Sequence, residues 1–76
     1  MSDTLLSQLK PGESATVTNI KGDGTLVQRL LERGFYEGAD VAVVRSALLG
    51  DPIEVRISGY NLSLRKSEAA LIGVKR

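Results

Sequence analysis

The chain has 76 residues, of which 42% are hydrophobic and 25% are charged, and its formal net charge is +1. This composition is typical of a globular domain, and the near-neutral charge gives no reason to expect strong attraction to nucleic acid or to an anionic membrane. Cysteine and histidine are absent, which excludes disulfides and thiolate or imidazole metal sites and removes the commonest general base, so we expect no catalytic residue, no metal site and no cofactor.

The first predicted strand spans residues 13–20. Ala15 and Val17 share one face of it, and hydroxyl side chains occupy the other, which is the period-2 pattern of a half-buried strand. Residues 4–10 precede this strand and are predicted to form one helical turn or to cover an edge of the core. Residues 21–24 contain two glycines and predict a turn before the helix.

One convincing helix is predicted, from Thr25 to Arg33. Thr25 can cap its N-terminus, and Gln28 three residues later completes a capping box. Gly34 is placed to end the helix in the left-handed conformation, with Phe35 contacting the last turn as in a Schellman motif. Apolar side chains at helical spacing form two neighbouring rows, which are Leu26 with Leu30 and Val27 with Leu31.

A hairpin is predicted for residues 53–65, where apolar and polar side chains alternate on both sides of Ser58-Gly59. A two-residue loop would pair Ile57 with Tyr60, and a four-residue loop would pair Ile57 with Leu62. Both registers place the apolar side chains on one face, so a slip by one residue would expose them to water. We expect Tyr60 to face inward together with Leu62.

Two further strands complete the predicted fold. Residues 41–44 predict the strand before the hairpin, and residues 71–74 predict a closing edge strand after a helical turn that Ser67 caps. We expect a mostly β fold, a small SH3-like five-stranded barrel with one short α-helix inserted after the first strand, formed by residues 1–76 as a single domain. Near closure of the sheet limits bare strand edges, which favours such a barrel.

Three other patterns could carry chemistry but have simpler explanations. Asp51 and Glu54 lie three residues apart without a predicted cleft, so we interpret them as a turn residue and a solvated residue. Residues 22–25 resemble a phosphate loop but lack the lysine of a P-loop and the third glycine of a dinucleotide fingerprint. Four basic residues could form a stripe on the outer sheet face, but with Tyr60 inward they have no stacking platform. They are Arg45, Arg56, Arg65 and Lys66.

The best candidate site from the residues alone is the apolar face of the helix. A small barrel needs only one apolar row to close its open end, so the second row could form a docking surface. The alternative is that both rows belong to the core. We predict a partner-binding site formed by Val27, Leu30, Leu31 and Tyr36.

Several phrases of the sequence occur in the order found in one family. These are residues 9–13, 29–35, 38–45, 49–56 and 59–66. Together they make the chain, over residues 5–75, resemble the ferrous iron transport protein A (FeoA) family. The sequence departs from the family at Glu37, where many members have proline.

The resemblance implies an SH3-like FeoA-type domain that acts as a non-catalytic cytosolic accessory of the ferrous iron transporter FeoB, which has an N-terminal cytoplasmic GTPase domain. It implies binding to the cytosolic GTPase part or the membrane part of FeoB, with an influence on assembly or GTP-linked activity. We expect a cytoplasmic location, with recruitment to the inner face of the membrane by the partner. We expect no nucleic acid partner and no direct membrane insertion.

Other interpretations of the small barrel stay open. It could be an oligonucleotide-binding module, whose affinity would fall steeply with salt, or a general protein-interaction module. It could also be a detached regulatory accessory, because the same kind of barrel occurs in iron-dependent repressors. Exposed edge strands would further allow a weak homo-oligomer.

Overall fold

A six-stranded antiparallel sheet, in the order β1-β6-β2-β3-β4-β5, organises the computed structural model, which describes residues 4–76. The strands are β1 Thr4–Leu5, β2 Ser14–Ile20, β3 Asp40–Ser46, β4 Ile53–Ile57, β5 Tyr60–Leu64 and β6 Ile72–Lys75. A 3₁₀ turn spans Leu6–Gln8, and the helices are α1 Gly24–Glu32 and α2 Lys66–Ala69. Neither helix within residues 4–76 has the length and hydropathy that a membrane crossing requires.

The SH3-like, mostly β fold is confirmed, but the predicted number of strands is wrong by one. The additional strand is β1, whose Thr4 and Leu5 pair with Val74 and Gly73 of β6. A two-residue strand is too short to show alternation in the sequence. Its formation depends on pairing with the neighbouring strand. The helix consequently follows the second strand, with α1 lying between β2 and β3.

The β4–β5 hairpin adopts the first of the two predicted registers, in which Ile57 pairs with Tyr60. Its two-residue loop, Ser58-Gly59, has positive φ angles of 52° and 83°, as the right-handed twist of the flanking strands requires. Tyr60 shares the face of its partner Ile57, but its predicted burial is wrong, since Tyr60 is 70% exposed at the end of the edge strand. On the edge strand β5, Leu62 is half-buried and only Leu64, at the far end, is fully covered by the core.

The predictions for the two ends of α1 had different outcomes. The N-cap is Asp23, not Thr25 as predicted, because the Asp23 carboxylate accepts the Leu26 backbone N–H at 2.9 Å. The predicted Schellman ending is confirmed: the N–H groups of Gly34 and Phe35 donate to the last turn at 3.0 and 3.1 Å, and Gly34 has a φ of 105°.

Helix α2 begins two residues earlier than a cap at Ser67 would place it. The N-cap position is Arg65, and the Glu68 carboxylate accepts the Arg65 backbone N–H at 3.0 Å. The Lys66 backbone N–H donates to the Asp51 carboxylate at 2.9 Å, which joins the start of α2 to the β3–β4 loop. Ser67 therefore lies inside α2, and its predicted capping role is wrong.

Candidate docking site

Helix α1 contacts the core through one of its two apolar rows. Leu30 is fully buried and Leu26 packs against the core cluster. On the second row, Val27 is half-buried and Leu31 is 41% exposed. The helix therefore closes the barrel with the Leu26 and Leu30 row and leaves Val27 and Leu31 at its flank. Leu30 cannot touch a partner from this position, so its place in the predicted site is corrected to the core.

The exposed row of α1 borders a shallow cavity of about 210 Å³. Val27 and Leu31 form one wall, the end of β2 forms the other, and Phe35 lines it from the core side. The remaining lining residues are Thr18, Asn19, Ile20 and Glu37. An apolar wall facing a polar strand end is suited to a partner that contributes one apolar side chain and hydrogen-bonding groups.

Tyr36 lies apart from this cavity. Its side chain is 52% exposed and lines a different cleft, of about 460 Å³, between β3 and the β4–β5 hairpin. The loop after Tyr36 is held in place by two backbone hydrogen bonds, from Ala39 to the Tyr36 carbonyl at 3.0 Å and from Gly38 to the Val17 carbonyl at 2.8 Å. The predicted patch thus becomes two neighbouring surfaces, with the buried Phe35 between them in the chain.

The basic stripe considered in the sequence does not form one surface. Arg45 forms an ion pair with Glu54 at 2.8 Å, and Arg56 donates from Nε to the Asn61 amide oxygen at 3.2 Å on the outer face of the hairpin. Arg65 lies elsewhere, at the start of α2.

The exposure of Tyr60 removes one argument against the oligonucleotide-binding alternative. An exposed ring is available for stacking on a base. The net charge of +1 still argues against strong attraction to a polyanion. That alternative therefore stays a hypothesis without a specific contact to support it.

Sequence reasoning missed the most exposed large apolar residues among residues 4–76. Leu48 and Leu49, in the β3–β4 loop, are 99% and 92% exposed. The available signal was the occurrence of two adjacent leucines in a segment that ends in the turn Gly50-Asp51-Pro52. Apolar residues in a turn have no strand or helix to bury them, so their exposure could have been anticipated.

Two features of the described residues bear on metal binding and catalysis, which are clusters of metal-ligating side chains and buried polar groups. Among residues 4–76, no group of three or more acidic side chains is close enough to hold a metal ion. The buried side chains of the same residues are all apolar. The surface has three separate features that a partner could contact. They are the apolar wall of α1, the Tyr36 cleft and the Leu48-Leu49 loop.

A family model described as the FeoA domain matches residues 4–76. The chain belongs to the FeoA family. This confirms the resemblance drawn from the sequence phrases, and the family is associated with ferrous iron transport.

Three relatives illustrate the likeness of this FeoA chain. It is 43% identical over 70 residues to an Fe(2+) transport protein A/Fe(2+) transporter FeoB fusion protein of Porphyromonas gingivalis, and the match covers 92% of this chain but only 8% of that protein. FeoA protein from Chlorobium tepidum has 42% identity and a TM-score of 0.88, covering 95% of this chain and 69% of that one. Stenotrophomonas maltophilia FeoA, described as a procaryotic SH3 domain protein complexed with zinc, has 30% identity and a TM-score of 0.83, with coverages of 95% and 89%.

Proposed function

We propose that this FeoA chain is a non-catalytic accessory of ferrous iron uptake that binds an FeoB-type transporter and influences its assembly or GTP-linked activity. The chain would act from the cytoplasm and be held at the inner face of the membrane by that partner. Its contribution is binding energy at a surface, not a chemical step.

The observation that carries the proposal is the fusion protein of Porphyromonas gingivalis, which joins an FeoA-like segment to FeoB in one polypeptide. Linking two units in one chain raises their effective concentration for each other and favours a pair that functions in contact. An FeoA chain that is 43% identical over 70 residues to that fusion protein is therefore expected to bind an FeoB-type transporter.

The surface of α1 supports the proposal physically. Leu31 is 41% exposed although it belongs to a helix whose other apolar row is in the core. Together with Val27 it presents an apolar wall beside the polar end of β2. Burying such a wall against a partner removes apolar area from water and stabilises the complex.

The first test is an NMR titration of the labelled chain with the isolated GTPase domain of FeoB, with and without a non-hydrolysable GTP analogue. We expect shifts at Val27, Leu31 and the neighbouring end of β2. Replacement Leu31→Arg places a charge on the apolar wall and is expected to weaken binding about tenfold or more, which corresponds to about 1.4 kcal/mol.

The matched control is Thr25→Arg, which adds the same side chain at an exposed position of α1 that does not cap the helix. It should fold and bind like the parent chain. Equal binding by the Leu31→Arg variant would show that the α1 wall is not the contact. Absence of shifts with both the GTPase domain and the complete transporter would contradict the accessory function itself.

A further inference from the structure

The β3–β4 loop presents two leucines that the fold does not use. Leu48 and Leu49 are 99% and 92% exposed. The loop is closed at its base by backbone hydrogen bonds instead, from Ala47 to the Pro52 carbonyl at 2.9 Å and from Gly50 to the Ala47 carbonyl at 2.8 Å. Because neither leucine is needed to shape the loop, their apolar surface is available to something outside the chain.

A groove lined by three arginines adjoins the base of this loop. Its volume is about 520 Å³, and Arg29, Arg33 and Arg65 line it together with Asp51 and Glu68. The two carboxylates are already engaged, since Asp51 accepts the Lys66 backbone N–H and Glu68 accepts the Arg65 backbone N–H. Within residues 4–76, none of the three arginines has a carboxylate oxygen within 4.0 Å. Neither hydrogen bond removes the charge of its carboxylate, so the groove holds three guanidinium groups against two carboxylates that form no ion pair with them.

The base of the loop borders the groove. Asp51 and Pro52 belong to the loop and also line the groove. The Lys66 ammonium adds a further cation at the same place, because it lies 4.0 Å from the point where a Cβ atom on Gly50 would stand. We define the leucine–arginine surface as Leu48, Leu49, Arg29, Arg33, Arg65 and Lys66.

This surface is separate from the apolar wall of α1. At about 100° per residue, Arg29 and Arg33 lie on one side of the buried Leu30, and Val27 and Leu31 lie on the other. A partner on the apolar wall would leave the leucine–arginine surface uncovered.

We propose that the leucine–arginine surface binds an anionic phospholipid bilayer. Leu48 and Leu49 enter the interfacial region, and the cations contact lipid phosphates. A lipid interface can receive two exposed leucine side chains without a preformed pocket. Guanidinium groups match phosphate geometry, and shallow apolar insertion adds to the electrostatic attraction of a basic patch for anionic lipids.

The proposal revises the expectation drawn from net charge. A net charge of +1 averages over the whole chain. A membrane surface acts mainly on charges within about one Debye length, roughly 8 Å at physiological ionic strength. The local charge is therefore the relevant quantity: four cations and two carboxylates, a net +2, lie beside two exposed leucines.

The test is flotation of the complete chain with vesicles of phosphatidylglycerol and phosphatidylcholine, compared with vesicles of phosphatidylcholine alone. We expect binding to the anionic vesicles that weakens as salt is raised. The double replacement Leu48→Ser and Leu49→Ser should reduce this binding about tenfold or more. The double replacement Arg29→Gln and Arg65→Gln should reduce it similarly and also lower its salt dependence.

The matched control is Tyr60→Ser, which removes an exposed apolar side chain from the other hairpin. It should leave vesicle binding unchanged. Equal binding to both vesicle types, or no loss in the leucine variant, would overturn the proposal. So would a leucine variant that binds vesicles normally but loses the transporter, since the loop would then be a protein contact. The vesicles contain no transporter, so failure here leaves the proposed FeoB interaction independently testable.

Discussion

At the scale of single residues, the direction of each side chain separates structural from functional positions. Leu30 and Leu31 are adjacent in α1, yet Leu30 is fully buried and Leu31 is 41% exposed. Successive helical residues point about 100° apart, which is enough to turn one leucine into the core and the other to its rim. Tyr60 is exposed for a different reason, since it shares the face of Ile57 but lies on the edge strand, where the core does not cover it.

We expect Leu30→Ala and Leu31→Ala to differ sharply in stability. Removing the buried Leu30 side chain leaves a cavity and should lower the free energy of unfolding by about 2–5 kcal/mol. That is a large part of the roughly 4–11 kcal/mol expected for a domain of this size. Leu31→Ala should cost less than about 1 kcal/mol, because the removed side chain is largely in water. Urea denaturation measures both, and equal losses would contradict the assigned orientations.

Capping of α1 provides a second comparison between neighbouring residues. Asp23→Ala should lower the free energy of unfolding by about 0.5–2 kcal/mol, since the Leu26 N–H loses its acceptor. Thr25→Ala is the control and should have little effect, because Thr25 lies inside the helix and Asp23 supplies the cap. Thermal unfolding followed by circular dichroism would decide, and a larger loss for Thr25→Ala would restore it as the cap.

At the scale of elements, local signals at the ends of α1 and in the hairpin loop determine where each element stops. Gly34 takes a left-handed conformation and lets two backbone N–H groups close the last turn of α1. Ser58-Gly59 takes the conformation that joins β4 to β5 in register. By contrast, the β3–β4 loop is longer and contains Asp51, whose carboxylate reaches α2.

The ending of α1 can be tested by comparing two glycines. Gly34→Ala should destabilise the fold by about 1–2 kcal/mol, because a side chain is unfavourable at its φ of 105°. The added Cβ would also stand 3.2 Å from the Ser58 hydroxyl oxygen. Gly24→Ala, at the first position of α1, meets no atom within 4 Å and should be neutral or stabilise by up to about 1 kcal/mol. Denaturation midpoints would distinguish the two, and equal effects would contradict the strained ending.

At the scale of the whole molecule, the sheet distributes contact surfaces to different sides. The apolar wall of α1 and the leucine–arginine surface flank Leu30 on opposite sides. The sheet also ends in the edge strand β5, so a weak homo-oligomer through that edge stays a prediction. The two proposed sites would let one small domain bind the transporter and the membrane at the same time.

We expect the two surfaces to be separable by mutation. Leu31→Arg should reduce binding to the FeoB GTPase domain and retain binding to anionic vesicles. The Leu48→Ser and Leu49→Ser variant should do the reverse. The measurement is binding of each variant to the GTPase domain and to the vesicles. A variant that loses both kinds of binding while its NMR spectrum remains that of a folded chain would show that the surfaces overlap.

The sequence alone determined the features that depend on neighbouring residues. Alternation predicted β2, β4 and β5, and one glycine predicted the end of α1, because period and turn conformation are local properties. The ordered phrases also indicated the family, which the family model confirmed.

Tertiary structure decided everything that depends on which element covers a given face. It made Thr4–Leu5 a strand by pairing it with β6, and it selected the Leu26 and Leu30 row of α1 for the core. It also brought arginines from α1 and from the start of α2 to one groove. Burial and contacts of this kind depend on residues that are far apart in the chain, so no period or spacing in the sequence encodes them directly.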